Sequence, residues 1–468
     1  MSDMAARPET GEELPEELYG VSDEQVAAVR EALHGDDIAR VRELCEGLHA
    51  ADLADLIHTL PPAERRKLID VLGAGIDPEL LTFLEDHALD EVVQHLGAAD
   101  IAAAVTELDT DDALDVVELL DEPVKEQILD HLEDADRAAI EEALAYPEDS
   151  AGRLMQRSFV AFPSHWTVGD AIDYFREEAD KGGETLPDEF FDIFVVDEDN
   201  HPLGVVPLSE VIRTRRLVTL GELMDADLDR VPVDTDQEEV GNLFRQYDLT
   251  SAAVVDADGR MVGVITYDDV MDVVHEEAEE DIMRLAGVPE EGVDDTVLRT
   301  SRSRVSWLVV SLLGLLFASL VIWLFEDAIQ EIVALAVLMP IVAALGGNAG
   351  IQAMTVTVRS LAMRDFNRAA MFRVLGREVM VAALNGLVLA VIVGTLTGLW
   401  FATPELGFII GGAVIVNLTV AGTMGVLIPL TLDRLKIDPA IASSVFLITI
   451  TDTVGFAAFL GSAAAFLL

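Results

Sequence analysis

Basic residues and cysteine are scarce in this chain. Lys and Arg together number 30 against 86 Asp and Glu, which gives 468 residues a formal net charge of −56. Nucleic-acid-binding proteins need a basic surface, so this balance disfavours that class. The single cysteine, Cys45, excludes an intramolecular disulfide, and residues 1–20 lack the apolar run of a signal peptide and are expected to be a disordered lead. No nucleophile–base pair, phosphate loop or metal-hydrolase motif is present, which argues against an enzyme.

Acidic charge and hydrophobicity lie in different parts of the chain. Residues 301–468 carry nine acidic and nine basic residues, so the entire net charge lies in residues 1–300. Few lysines beside many arginines and acidic residues are typical of soluble surfaces in extreme halophiles, and we take this as the larger cause of the acidity. A role in handling cations is the smaller cause of the acidity.

Residues 21–150 show helical periodicity and an internal repeat. The segment LHAADLADLIHTLPPAERRKLIDVL (48–72) aligns without gaps with LGAADIAAAVTELDTDDALDVVELL (96–120), an offset of 48 residues. Paired amphipathic helices at that spacing predict an all-α superhelix, in which each unit buries its apolar face against a neighbour. Structural stacking is the expected role of this domain, with partner binding as the alternative.

Two related strand-and-helix segments follow in residues 151–274. DIFVVDEDNHPLGVVPLSEVI (192–212) matches SAAVVDADGRMVGVITYDDVM (251–271) in its order of strand, acidic turn, strand and helix start. This α/β pattern resembles a tandem of CBS domains, which often bind adenine nucleotides such as ATP. Thr266 and Asp269 match that family's ribose-binding motif, whereas the first copy has Pro207 and Glu210 there. A nucleotide site in the second copy and a purely structural turn both stay open.

Five apolar stretches fill residues 304–468, and each exceeds the roughly 20 residues needed to cross a bilayer. They predict five transmembrane helices, at about 304–325, 330–358, 377–402, 406–432 and 438–467. Basic residues precede the first span and lie in the 2–3 and 4–5 connections: Arg302, Arg304, Arg359, Arg364, Arg368, Arg373, Arg377, Arg434 and Lys436. The other two connections carry none, so we expect the N-terminal domains in the cytoplasm and the C-terminus outside the cell membrane.

One charged residue, Asp452, interrupts the fifth stretch in FLITITDTVGF (446–456). An aspartate near the bilayer centre costs about 2.5–3.5 kcal/mol, so it is expected only in a bundle interior or a wet cavity. A cation from solution is its expected partner; a protonated Asp452 bonded to a neighbouring helix is the structural alternative. Thr449, Thr451 and Thr453 would line a polar route or bond back to their own helix.

The second stretch contains MPIVAALGGNAGIQ (339–352), in which proline, glycines and amides interrupt a span. Pro340 lacks an N–H, and Gly346, Gly347 and Gly350 permit either close helix approach or local unwinding. Asn348 and Gln352 add polar amides. Irregular backbone at membrane depth is tolerated only where it is buried or lines a cavity.

Four motifs together resemble the MgtE family of magnesium channels: the 340–352 motif, TDTVGF (451–456), YPEDSAGRLM (146–155) and EEAEEDIMRLAGV (276–288). The resemblance implies a multidomain homodimer with a connecting plug helix, here 275–303, and a Mg2+ pore along the two-fold axis. It places Asp452 at the pore carboxylate and Ser444 where the family often has asparagine. Hydrated Mg2+ suits a few carboxylates and carbonyls better than a closed cage.

The same resemblance implies Mg2+-sensing carboxylates in the cytoplasmic domains, which would close the pore when internal Mg2+ is high. The corresponding residues are Asp236, Glu238, Asp248, Asp269, Asp272, Glu277, Glu280 and Asp281, with Asp111 and Asp115 in the helical domain. In so acidic a chain, a solvated surface charge is the alternative for each of them.

Two other functions stay open from the residues alone. The first is an ion-coupled secondary transporter of divalent metal cations, although no inverted repeat of spans is evident. The second is an energy sensor that binds ATP or AMP through the CBS domains and uses the membrane part as an anchor. The second leaves Asp452 and the 340–352 motif without a purpose.

Overall fold

The computed structural model describes residues 20–181, 186–187, 190–288, 297–362 and 368–468. Its contacts divide the chain into two units, residues 1–274 and 275–468. Most of the predicted lead, Arg364 of the 2–3 connection and residues 289–296 of the predicted connecting helix lie outside the described residues.

The first part of the 1–274 unit is helical, as predicted. Its helices are α1 (Asp23–His34), α2 (Ile38–Cys45), α3 (Ala50–Thr59), α4 (Pro62–Leu72), α5 (Asp86–Leu96), α6 (Ala98–Glu107), α7 (Thr110–Glu118), α8 (Glu122–Leu129) and α9 (Asp134–Ala143), with short 3-10 helices at Gly73–Gly75 and Pro78–Leu81. Helices α3 and α4 recur as α6 and α7 at an offset of 48 residues. The core repeats with them, because Leu53 and Ile57 on α3 and Ile101 and Val105 on α6 are all buried.

The rest of this unit forms two small sheets joined to short helices, the predicted CBS pair. Its elements are α10 (Ala151–Leu154), β1 (Ala161–Pro163), α11 (Val168–Lys181), β2 (Asp192–Val196), β3 (Pro202–Pro207), α12 (Leu208–Arg213), α13 (Leu220–Leu223), β4 (Arg230–Pro232), α14 (Gln237–Tyr247), β5 (Ser251–Val255), β6 (Met261–Thr266) and α15 (Tyr267–Leu285). The sheet orders are β1-β2-β3 and β4-β5-β6. In each sheet the middle strand pairs parallel with the first and antiparallel with the third.

Helix α15 differs from the predicted connecting helix. It begins at Tyr267, directly after β6, and ends at Leu285 rather than continuing to residue 303. Gly287 stops it, because its left-handed backbone (φ 73°) lets its N–H donate to the Arg284 carbonyl while the Val288 N–H donates to the Met283 carbonyl. The next helix begins at Val297.

The 275–468 unit contains the five predicted membrane helices. Its elements are α16 (Val297–Leu324), α17 (Glu326–Glu331), α18 (Ala334–Ala362), α19 (Arg368–Trp400), α20 (Pro404–Arg434) and α21 (Pro439–Phe466). All but α17 contain a stretch long and apolar enough to span a membrane. The connection between the first two membrane helices is the short helix α17, whose first-turn Glu326 and Asp327 favour the positive helix N-terminus. Helix α19 begins earlier than predicted because its arginine-rich segment continues the helix.

Small residues set the closest contact in the membrane unit, between α19 and α20. Ala382, Gly386, Ala390, Gly394 and Gly398 recur every four residues along one side of α19. A Cβ at Gly394 would lie 2.7 Å from the Gly407 carbonyl oxygen, so the two backbones touch there. Helix α20 packs on both α18 and α21 as well and is the most buried of the five. Backbone contact of this kind is a usual source of helix association in lipid.

Replacing Gly394 with valine should therefore loosen this contact. We expect Gly394→Val to lower the free energy of unfolding by about 1–3 kcal/mol, because overpacking forces the backbones apart. Thermal unfolding of the detergent-solubilised chain measures this. Gly412→Val on α20 is the control, since a Cβ there meets nothing within 4 Å. Equal losses in the two variants would contradict the packing role of Gly394.

Candidate ion path and ion-sensing sites

Buried carboxylates are few in this acidic chain. Among the described residues the buried acidic side chains are Asp111, Glu178, Asp192 and Asp452. Glu178 pairs with Lys181 at 2.7 Å, and Asp192 accepts hydrogen bonds from the Thr250 and Ser251 hydroxyls, both at 2.7 Å. Asp111 has no side-chain hydrogen-bond partner in the described part of the chain, and the backbone N–H of Asp112 is the neighbouring group that favours its charged form. Asp111 and Asp452 are therefore the buried carboxylates that no described cation balances.

Asp111 belongs to a cluster of carboxylates at the starts of α7 and α15. Its side chain is 4% exposed. Burial first, and then the neighbouring Asp269 and Asp112, raise the pKa of Asp111 well above its usual range. Burial followed by Asp109 and Asp268 raises the pKa of Asp112 to about 6. The helical domain and the second CBS unit thus meet through like charges, which a proton or a cation would relieve.

Asp269 belongs to both predicted site sets. Burial raises its pKa to about 7, with Asp268 and Asp112 adding to the shift. Its Oδ2 atom accepts hydrogen bonds from the Thr266 hydroxyl at 2.5 Å and the Thr266 N–H at 3.3 Å, which closes the turn from β6 into α15. The predicted ribose-binding pair is therefore already joined and lies beside Asp111. In the first copy, Glu210 pairs with Arg213 instead.

Other predicted sensor residues lie outside this cluster or at its edge. Asp115, one turn beyond Asp111, is exposed. Asp236 begins α14, where its Oδ1 accepts the Glu238 N–H at 3.0 Å, and Asp248 ends it with a left-handed backbone (φ 54°). An 11-residue helix is about 16 Å long, so Asp236 and Asp248 of one chain cannot share one ion. Glu238 is exposed, and so is Asp272, which adds to the raised pKa of Asp112.

A second acidic group lies in the 275–468 unit, at the end of α15. Burial, then Asp438 and Glu277, raise the pKa of Asp281 to about 6. Unlike the first cluster, this group includes a cation: Arg284 pairs with Glu280 and, at 2.7 Å, with Asp438. Leu285 then packs against a cluster that contains Met354 and Val358 of α18 and Leu447 of α21. The end of α15 is thus attached to membrane helices by charge and by apolar contact.

These groups are not closed metal cages. Within the described part of the chain, no three His, Cys, Asp or Glu side chains are arranged to hold one metal ion together. Mg2+ keeps several waters and is usually bound by one or two carboxylates, so a partly hydrated ion suits such groups. Sequence patterns do not identify the other members of these groups, because they join the groups only through tertiary contact: Asp109, Asp112, Asp268, Arg284 and Asp438.

Asp452 lies on α21, an otherwise uncharged helix, and is 8% exposed. It has no hydrogen bond or ion pair with any described residue. The alternative in which a protonated Asp452 bonds to a neighbouring helix therefore finds no partner among the described residues. Thr451 and Thr449 donate to carbonyls of their own helix, Ile448 at 3.0 Å and Val445 at 2.8 Å. Thr449 also packs on Gly314 of α16, Thr453 Oγ1 is buried without a partner, and Ser444 is half-buried.

The 340–352 motif is a continuous part of α18, so local unwinding is wrong and close helix approach is confirmed. A Cβ at Gly350 would lie 2.9 Å from Leu447 of α21, and Gly346 packs on the Asn417 amide of α20. Gly347, by contrast, meets nothing within 4 Å. Asn348 and Gln352 are exposed one turn apart on α18. Asn417, fully buried, was not predicted, because a lone asparagine in an apolar span carries no motif.

Comparison with known proteins agrees with this architecture. Family models match the MgtE intracellular N domain over residues 48–149, CBS domains over 151–216 and 220–276, and the MgtE divalent cation transporter over 339–462.

Named relatives cover most of the chain. A magnesium transporter MgtE of Thermus thermophilus is 34% identical over 76% of this chain and 78% of its own length. One of Bacillus subtilis is 29% identical over 87% of this chain and 90% of its own. The solved cytosolic domain of the Mg2+ channel MgtE in complex with ATP is 31% identical and covers 53% of this chain and 99% of that one, with a TM-score of 0.49. The chain belongs to the MgtE family of magnesium transporters.

Proposed function

We propose that this transporter is a Mg2+ channel for uptake across the cell membrane, and that Asp452 lies in its ion path. The observation that carries the proposal is a buried carboxylate in an apolar helix with no protein partner in the described chain. Such a charge costs about 2.5–3.5 kcal/mol on insertion, which a passing divalent cation offsets by direct attraction. In a homodimer, two copies of Asp452 would face one path.

The polar face of α18 would continue this path. Asn348 and Gln352 are exposed in the single chain, and Gly347 beside them leaves space. Amide oxygens and a carboxylate suit a hydrated Mg2+ ion, which releases water reluctantly. The distribution of basic residues supports cytoplasmic N-terminal domains and a C-terminus outside the cell.

Internal Mg2+ would set the opening through the carboxylate cluster at the starts of α7 and α15. With little Mg2+, Asp111, Asp112 and Asp269 repel one another and the helical domain loosens from α15. With more Mg2+, bridging ions hold the cluster together and favour the closed pore. Moving such a switch from 1:99 to 99:1 requires about 5.5 kcal/mol of differential binding, which several weak sites can supply together.

ATP is a proposed modulator at Thr266 and Asp269. The surrounding carboxylates repel triphosphate, so ATP should bind tightly only when Mg2+ neutralises the cluster. We expect Thr266→Val to weaken ATP binding about tenfold, the value of one lost hydrogen bond. Equilibrium binding of labelled ATP with and without EDTA tests this. ATP binding that changes neither with Mg2+ nor with the substitution would show that ATP does not bind at this site.

Neutralising the pore carboxylate should stop transport. We expect Asp452→Asn to lower Mg2+ entry into liposomes by about a hundredfold or more, since each 1.4 kcal/mol of lost attraction is a factor of ten. A Mg2+-sensitive dye inside the liposomes measures the flux. Asp327→Asn, at an exposed aspartate of α17, should remain close to wild type.

The same assay separates the channel from a coupled transporter. Channel flux should follow the Mg2+ gradient and be indifferent to an imposed proton or sodium gradient. Flux that requires either gradient would favour the coupled transporter, and full activity in Asp452→Asn would remove Asp452 from the path.

Protons and Mg2+ should stabilise the carboxylate cluster in the same way. The pKa values of Asp269 (about 7) and Asp112 (about 6) are raised above the usual value for an aspartate, so the folded state binds more protons between about pH 4 and 7. Stability at the cluster is therefore lost as pH rises through these values. Without Mg2+, lowering the pH from 7 to 6 should slow hydrogen exchange in α7 and α15 by about tenfold after correction for intrinsic rates.

Substitutions identify the carboxylate responsible. Millimolar Mg2+ at neutral pH should give the same protection in wild type, and Asp111→Asn should weaken both responses because one buried charge is gone. Asp70→Asn, at an exposed aspartate of α4, should leave both intact. Exchange that is insensitive to Mg2+ in wild type would contradict sensing at this cluster.

A further inference from the structure

Asn417 is a fully buried amide in α20 of the membrane unit. Its Nδ2 donates to the Val342 carbonyl of α18 at 2.8 Å, and its Oδ1 has no hydrogen-bond partner in the described part of the chain. Burying an unpaired amide oxygen costs about 1–3 kcal/mol. A leucine of similar size would avoid that cost, so the amide is retained for something other than packing alone.

The contacts of Asn417 join three helices. A Cβ at Gly346 of α18 would lie 2.8 Å from the Asn417 Cγ atom, and a Cβ at Gly455 of α21 would lie 2.7 Å from its Nδ2. Both glycines are therefore required for the amide to reach Val342. Gly346 is two residues before Asn348, and Gly455 is three residues after Asp452. The amide thus holds the two helices that carry the polar groups of the path.

We propose that Asn417 is a positioning residue for cation conduction, which fixes α18 and α21 at one separation by its bond to Val342 and its contacts with Gly346 and Gly455. The inference rests on the proposed ion path. Asn417 does not touch the ion; it sets where Asn348 and Asp452 stand. A site only slightly too wide loses geometric discrimination between ions of different size.

Flux and ion preference in liposomes test this. We expect Asn417→Leu to conduct Mg2+ about tenfold more slowly than wild type, the rate equivalent of one interhelical hydrogen bond, and to admit Ca2+ relative to Mg2+ more readily. Gly455→Ala should shift the same ratio, because its methyl group displaces the amide from the other side. Asn385→Leu, at an exposed asparagine of α19, should behave as wild type.

The possible outcomes distinguish a failure of the positioning role of Asn417 from a failure of the proposed Mg2+ channel. A wild-type protein without Mg2+ flux overturns the proposed channel and this inference with it. Wild-type flux with an unchanged Ca2+ to Mg2+ ratio in folded Asn417→Leu overturns the positioning role alone. If Asn417→Leu fails to fold, Gly455→Ala decides: a shifted ratio supports the role and an unchanged ratio overturns it.

Discussion

Like charges held away from water are the constraint on which this structure depends. Most acidic residues of the chain are solvated and contribute to solubility. Asp111 and Asp452 are different, because each is buried without a balancing partner in the described chain, one among other carboxylates and one in an otherwise uncharged helix. A folded protein tolerates such groups only if something from solution binds them for part of the time. We propose that a hydrated divalent cation meets that requirement in both places.

The elements of the fold could be predicted because each depends on a local periodicity. The 48-residue repeat aligns Leu53 with Ile101 and Ile57 with Val105, and all four residues are buried, so the helical stack could be predicted from the sequence alone. The membrane helices could be predicted equally well, since the length and hydropathy of a segment determine whether it can span a bilayer. The end of α15 was harder to predict. The charge pattern of the segment suggests a longer helix, but the αL backbone of Gly287 stops α15 at Leu285. Helix α17 could not be predicted from periodicity, because its six residues are too few to show a period.

The site could be predicted only where a motif carried it. Asp452 and Asp269 stand in motifs and could be proposed from the sequence, and their roles stay predictions. Asp112 and Asp268 look like any other surface aspartate until the starts of α7 and α15 are brought together. The expected i,i+4 pair of Asp111 and Asp115 places one carboxylate inside and one outside, because α7 buries only one face. Asn417 is harder still to identify from the sequence, since its proposed role depends on Gly346 and Gly455 of two other helices.

The two acidic groups of α15 differ in a way that matters for regulation. At its start the groups that shift the Asp111, Asp112 and Asp269 pKa values upward are carboxylates, with no cation among them. At its end Arg284 already neutralises part of the charge of Glu280 and Asp438. Repulsion at the first group would be relieved by a proton or a cation from solution, whereas at the second the protein supplies a cation itself. We therefore propose that sensitivity to Mg2+ is greater at the start of α15 than at its end, where Arg284 and Leu285 hold the helix within the 275–468 unit.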